Sequence, residues 1–384
     1  MRVFEAAMRS FRSGWRQEWI GVCEATSGLR HRSVPSNVSS TIAATADTRP
    51  QRARPGEKCA GSMPGEKRRC VERRARAVGG LRETDPMSST VHLLKSGRAL
   101  GVTWTGPEHA ERVVVLAHPA PGSADFDPDP EATARHGVRL LSVDRPGYGA
   151  SELLNDLDQA GAGAPATPEQ AAADIAEYLA TIGIASVTAA GWSAGGRVAL
   201  ALSANYPGLV ERVAVLATPA PDDAVPWVGD DNRAMLESLR ALAPADAVRA
   251  LGTMLGEAFG PAPDPAALLG MLGAAGADAP LLEAPGVRDR LLRMLERAAA
   301  QGTTGMAADI VGYTLLDWGF AVDQVASPAL LLYGAEDLEV GRVHGEWYAA
   351  RLADSRLEVV PGRGHLLAVS EWDRVLSFLL PAAV

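Results

Sequence analysis

From residue 87 onward the chain alternates between two apolar patterns. Short continuous runs rich in branched residues recur at 113–117, 138–143, 186–190, 210–216, 329–333 and 356–360. Runs of this length, bounded by turn residues, predict strands buried on both faces. Between them lie stretches with helical spacing: 167 to about 182, 197–202, about 345–352, and a closing helix through Trp372, Val375, Leu376 and Leu379. Thr167 is placed to cap the first of these, with Glu169 and Gln170 in its first turn. Two further short strands, 91–94 and 101–104, flank Ser96-Gly97 and predict a hairpin. The alternation predicts an α/β fold, a mostly parallel sheet of about eight strands flanked by helices. Right-handed crossovers then bring the C-terminal ends of the parallel strands to one edge. Each loop of chemical interest follows a strand, so these loops are expected to converge there.

Residues 219–317 break the alternation. Met235, Leu236, Leu239 and Leu242 share one helical face, as do Val248, Leu251 and Leu255, and later Leu291, Leu292 and Leu295. Pro- and Gly-rich breaks separate these segments. The expected organisation is a core built from 87–218 and 318–384, with 219–317 as a helical lid insertion. A lid over the strand ends excludes water and shapes a pocket.

Composition adds boundaries. Of 384 residues, 47% are hydrophobic and 22% charged, which fits a globular chain with a large core. The sequence holds no apolar run of ~18 residues, so no membrane span is predicted. The formal net charge of −9 is uneven: residues 1–86 hold 17 Lys+Arg against 9 Asp+Glu, leaving the remainder at −17. An acidic main body argues against nucleic acid as its partner. Residues 1–86 are rich in Arg, Ser, Pro and Gly with little periodicity, the signature of a disordered basic extension. The segment lacks the apolar stretch of a secretory signal, and Glu5, Glu18 and Glu24 are awkward for a transit peptide. Met87 stands directly before the first strand, so the working protein is expected to begin near it. Cys23, Cys59 and Cys70 all lie in the extension, and the main body has no cysteine to serve as nucleophile or metal ligand. This usage is that expected of a reducing cytoplasm.

The chemistry centres on Gly191-Trp192-Ser193-Ala194-Gly195-Gly196, a G-x-S-x-G run between a predicted strand and a predicted helix. A strand turning sharply into a helix strains its turn residue, and glycines at 191 and 195 remove Cβ atoms that would collide. The turn lifts the Ser193 hydroxyl above the sheet beside free helix N–H groups, which suits a nucleophile whose reaction develops an oxyanion. A serine hydroxyl needs a base, and imidazole suits neutral pH. Of seven histidines, His365 alone sits in a C-terminal loop directly after a strand. A carboxylate must then fix the imidazole. Asp337, Glu336 and the pair Asp222 and Asp223 each stand just beyond a strand.

With the loop His118-Pro119-Ala120-Pro121-Gly122-Ser123 after the third strand, the order of these segments resembles the α/β-hydrolase fold superfamily over roughly residues 90–384. The resemblance implies a serine hydrolase that cleaves a small-molecule ester through an acyl-enzyme and requires no cofactor or metal. It implies the triad Ser193, Asp337 and His365, with Asp337 preferred over its rivals. It implies the N–H groups of Ala120 and Ala194 as the oxyanion hole; Pro119 stands where glycine is common and has no N–H to offer. Trp192, Trp318 and Phe320 are candidates to line the substrate pocket, and His118 and Arg145 are expected to be structural. Lactonase, carbon–carbon hydrolase, perhydrolase, aminopeptidase or acyltransferase chemistry, or ligand binding without catalysis, would use the same fold. Substrate identity and oligomeric state are not encoded in any motif found.

Overall fold

The structure, a computed structural model, describes residues 88–154, 164–260 and 262–381. The expectations for the basic extension fall outside these residues.

One eight-stranded sheet organises the chain. Its strands are β1 (Ser88–Leu93), β2 (Ala99–Thr105), β3 (Val113–Ala117), β4 (Arg139–Val143), β5 (Val187–Trp192), β6 (Val210–Leu216), β7 (Ala329–Gly334) and β8 (Ser355–Val360). They lie in the order β1-β2-β4-β3-β5-β6-β7-β8. β2 runs antiparallel to both its neighbours, and every other pair is parallel. β5 therefore lies inside the sheet, and the loop that follows it opens at the parallel strands' shared edge.

Successive side chains of a strand face opposite ways, and both directions are buried here. Val114 and Leu116 of β3, Ala190 and Trp192 of β5 and Leu330 and Leu332 of β7 enter one apolar cluster. Val113, Val115, Ala117, Ala189, Val213 and Leu331 enter the other. This is why these strands read as unbroken apolar runs.

The connecting helices are α1 (Pro130–Arg135), α2 (Pro168–Thr181) and α3 (Ala194–Asn205). Thr167 caps α2 through its side chain, accepting from the Gln170 N–H at 3.2 Å. The sequence reading passed over α1, although its start is well marked: Asp129 accepts from the N–H groups of Glu131 and Ala132, and Pro130 occupies the first turn. Six residues are too few to show a periodic apolar face.

Between β6 and β7 the chain runs through α4 (Asp230–Arg240), α5 (Pro244–Phe259), α6 (Pro265–Gly270), α7 (Val287–Ala298) and α8 (Thr304–Thr314), with a 3₁₀ segment at Gly276–Glu283. Their apolar faces, including Leu239, Val248, Leu251, Leu291 and Val311, join the first cluster rather than forming a core of their own. After β7 come α9 (Arg342–Ala349), then α10 (Leu367–Ser370) and α11 (Trp372–Leu379) beyond β8. No helix among the described residues is long and apolar enough to cross a membrane.

Candidate active site

The turn between β5 and α3 carries Ser193 at φ 54°, ψ −123°. That region is costly for a residue with a Cβ, by about 1–3 kcal/mol, and persists only where the surroundings impose it. Here they do. The Ser193 N–H donates to Leu216 O at 2.8 Å, and its carbonyl accepts from Thr218 Oγ1 at 2.9 Å. Tyr333 of β7 donates its hydroxyl to Thr218 O at 2.8 Å. A Cβ at Gly191 would run into the Gly195 carbonyl, and one at Gly195 into the Ala117 carbonyl. Ser193 heads α3 yet makes no side-chain capping bond, so Oγ is not committed to the backbone.

His365 follows β8 and is buried. Its Nδ1 donates to Asp337 Oδ2 at 2.7 Å. Asp337 Oδ1 accepts from the N–H groups of Glu339 and Val340 at 3.0 and 2.9 Å. Burial works against the Asp337 carboxylate, but the facing imidazole and these hydrogen bonds outweigh it and hold its pKa below the ordinary value. Burial likewise works against the imidazolium, and the Asp337 charge and hydrogen bond outweigh that, leaving His365 above its ordinary pKa. The rival carboxylates are engaged elsewhere or turned away. Asp222 accepts from the N–H groups of Trp227 and Val228 and pairs with Arg233 at 2.9 Å; Asp223 and Glu336 are exposed.

Two side chains hold the His365 loop besides Asp337. Trp192 Nε1 donates to the His365 carbonyl at 2.8 Å. Asp278, fully buried in the 3₁₀ segment of the insertion, accepts from the N–H of Gly364 at 2.9 Å and of Leu366 at 2.7 Å. One carboxylate thus brackets the histidine with two charge-assisted bonds. Sequence reasoning missed Asp278; the available signal was a lone acid in a Gly-Ala-Asp-Ala-Pro stretch otherwise free of charge.

Ser193, Ala194, Ala120 and His365 line one cavity of about 350 Å³. The N–H groups of Ala120 and Ala194 have no hydrogen-bond partner among the described residues. Much of the remaining wall comes from the insertion: Met235, Leu236, Leu251, Met271, Met306 and Ile310. The loop bearing Ala120 is braced from behind. The Arg145 guanidinium donates to the carbonyls of His118 and Pro119 and pairs with Asp309 of α8 at 2.7 Å. His118 Nδ1 bonds Pro119 O, and Nε2 accepts from the Arg145 N–H. Burial, reinforced by the Arg145 charge, pushes the His118 pKa well down, so this ring is neutral. His344 is buried, with Nδ1 accepting from the Ala220 N–H at 3.1 Å.

The three aromatic candidates sit differently from the expectation that they line the pocket. Trp192 is buried beneath the cavity, between Phe126 and His365. Trp318 and Phe320 stack on each other and line a separate outer cleft of about 880 Å³. Leu236, Tyr313 and Thr314 line both spaces and form the partition between them. Position next to Ser193, or at the insertion's return to the sheet, does not fix which way a ring points.

Comparison with known proteins follows the same outline. The sequence model of the alpha/beta hydrolase fold family matches residues 112–371. Over 177 residues the chain is 30% identical to the pimeloyl-[acyl-carrier protein] methyl ester esterase of Aromatoleum aromaticum, a match covering 46% of this chain and 65% of that protein. Over 303 residues it is 23% identical to a 2-hydroxy-6-oxononadienedioate/2-hydroxy-6-oxononatrienedioate hydrolase of Burkholderia vietnamiensis, covering 76% of this chain and 92% of that one. Among solved structures, the enol-lactonase from Burkholderia xenovorans LB400 superimposes with a TM-score of 0.53 at 20% identity, over 76% of this chain and 98% of that one. With the family model spanning most of the chain and the sheet order and strand-end loops described above, this protein belongs to the alpha/beta hydrolase fold family.

Proposed function

We propose that this protein is a serine hydrolase that cleaves a carboxylic ester of a small molecule through an acyl-enzyme. The observation that carries the reading is the His365–Asp337 hydrogen bond of 2.7 Å at the edge of a cavity that Ser193 also lines. Ser193 Oγ attacks the ester carbonyl while His365 takes its proton. Asp337 holds the Nδ1–H tautomer and stabilises the imidazolium that forms. The free N–H groups of Ala120 and Ala194 receive the oxyanion. His365 returns the proton to the departing alcohol, and water then hydrolyses the acyl-enzyme by the same route. The insertion acts as the lid of this site, since its apolar side chains wall the cavity. The esterase from Aromatoleum aromaticum supports ester chemistry on this fold.

The test is labelling with a fluorophosphonate probe, together with turnover of p-nitrophenyl esters of rising acyl length, on wild type, Ser193→Ala and His365→Ala. Labelling and turnover by the wild type, both lost in the two variants, is the expected result. A folded wild type that neither labels nor turns over any ester would overturn the proposal.

A further inference from the structure

The insertion reaches the proposed base as well as the cavity wall. Beyond α6 the chain runs Met271-Leu272-Gly273-Ala274-Ala275-Gly276-Ala277-Asp278. Met271 lines the cavity with Ser193 and His365. Leu272 and Ala274 are buried in the first apolar cluster, which anchors the stretch to the core. Gly273, between them, lies against the histidine. A Cβ built on it would stand 2.6 Å from His365 Cβ, well inside van der Waals contact, and its φ of +66° already favours glycine. Asp278, at the end of the stretch, is fully buried and accepts from the N–H groups on both sides of His365.

These contacts act on the parts of His365 that Asp337 leaves free. The Asp337 hydrogen bond fixes Nδ1 of the ring. A ring held at one nitrogen still swings if its Cα shifts. Asp278 fixes the peptide groups before and after that Cα, Trp192 fixes the carbonyl, and Gly273 backs the Cβ. A buried carboxylate is costly unless hydrogen-bonded, and among the described residues the Asp278 side chain bonds these two N–H groups alone. The stretch therefore loses its partners if it parts from the histidine loop, which ties the two together. Asp278 also acts through its charge. Burial works against the imidazolium; Asp337 outweighs it, and Glu339 and Asp278 push the same way. The cations of the adjoining elements are engaged: Arg363 pairs with Glu371 at 3.6 Å, and Arg197 of α3 donates to the Pro219 carbonyl.

We infer that Gly273 and Asp278 are positioning residues for His365, so that the proposed base faces Ser193 only while this stretch of the insertion is docked on the histidine loop. The inference rests on the serine hydrolase reading. One stretch of the insertion then touches both the substrate space, through Met271, and the base, through Gly273 and Asp278. A displacement of about 1 Å in a catalytic group costs on the order of 100-fold in rate, so a backstop and a bracket at this place bear on kcat.

The test measures kcat, KM and the pH profile for p-nitrophenyl butyrate, with melting temperatures, on wild type, Asp278→Asn, Asp278→Ala, Gly273→Ala and Gly260→Ala. Asp278→Ala and Gly273→Ala are expected to lower kcat on the order of 10- to 100-fold with KM little changed. Asp278→Asn keeps one acceptor and is expected to fall between wild type and Asp278→Ala. It removes the charge, so the His365 pKa drops and the acid limb of kcat/KM is expected to move to lower pH. A loss of stability alone would not move that limb. Gly260→Ala is the control: its φ is +79°, and nothing lies within 4 Å of the added Cβ. It is expected to lower the melting temperature and leave kcat unchanged. Wild-type kcat in folded Asp278→Ala and Gly273→Ala, or an acid limb that Asp278→Asn leaves in place, would overturn the inference. If Asp278→Ala or Gly273→Ala does not fold, Asp278→Asn decides by the same acid limb. If the wild type turns over no ester and the fluorophosphonate does not label, the hydrolase reading has failed on its own account. The ring titration of His365 by NMR, its signal identified with His365→Ala, then decides the bracket. A pKa lowered in Asp278→Asn supports it, and an unchanged pKa defeats it.

Discussion

The two halves of the cavity are built by different rules. The half that bears Ser193, Ala194, Ala120 and His365 is made of strand ends and the tight turns that follow them. Its backbone is pinned by named hydrogen bonds and by glycines that leave no room for a Cβ. The half contributed by the insertion is made of Met, Leu and Ile from three helices, α4, α5 and α8, and from the turn after α6, and its apolar side chains could be exchanged for others of similar volume. A position in the first half is set to fractions of an ångström by sheet geometry. A position in the second is set by volume. Substitutions in the two halves should therefore fail in different ways.

The largest effect is expected from Ser193→Ala, which should lower kcat for ester hydrolysis on the order of 10⁶-fold with the melting temperature essentially unchanged. Asp337→Asn should cost about 10⁴-fold at neutral pH, because the amide favours the wrong tautomer of His365. The pH dependence of the wild type sharpens this. In the proposed reaction His365 must be neutral to act as base, and its pKa is raised, so the acid limb of kcat/KM should fall above the ordinary histidine value of ~6.5. The stabilising effect of the pair runs the other way. The depressed Asp337 contributes stability above ~3.9, lost as pH falls through its folded pKa, and the raised His365 contributes stability below ~6.5, lost as pH rises through its folded pKa. The contribution of the pair to stability should thus be greatest between about pH 4 and 6.5, where activity is still rising. A pH series of melting temperatures beside the rate profile checks both slopes.

Two side chains of the insertion blur the division, and substituting them tests whether it holds. Breaking the buried Arg145–Asp309 pair with Asp309→Asn should destabilise the protein by about 3–5 kcal/mol, read from denaturant midpoints. Asp278→Ala should cost about 2–3 kcal/mol by stranding two buried N–H groups, and should also lower kcat through a looser His365 loop. If kcat is unchanged, Asp278 is structural only. The smallest effect belongs to the wall itself. Met306→Leu should change stability by less than about 1.5 kcal/mol and shift the preferred acyl length while sparing labelling of Ser193.

The residues chosen from sequence were those whose geometry is local. Gly191, Ser193 and Gly195 form a turn whose strain and close approaches arise within six residues, and His365 and Asp337 each stand a few positions beyond a strand. Asp278 and Asp309 were not legible in that way, because their partners lie 86 and 164 positions distant in the chain. Arg197 reads as an ordinary helix residue until three aromatic rings from two distant segments are seen around it. Ring direction was not legible either. Trp192 serves the histidine loop from beneath, and Trp318 backs Arg197 from the outer cleft.

The sequence by itself determined the alternation of strands and helices, the elbow at Ser193 and the strand-end positions of His365 and Asp337. Period, turn chemistry and short-range sterics act between near neighbours, so they leave a mark in the order of residues. Only the tertiary structure decided which carboxylates brace the loops, which side chains wall the cavity, and that the Arg197 guanidinium is buried against aromatic rings. Those outcomes depend on how the insertion packs against the sheet edge, and packing between distant segments is set by volume and burial, which no short pattern in the chain records.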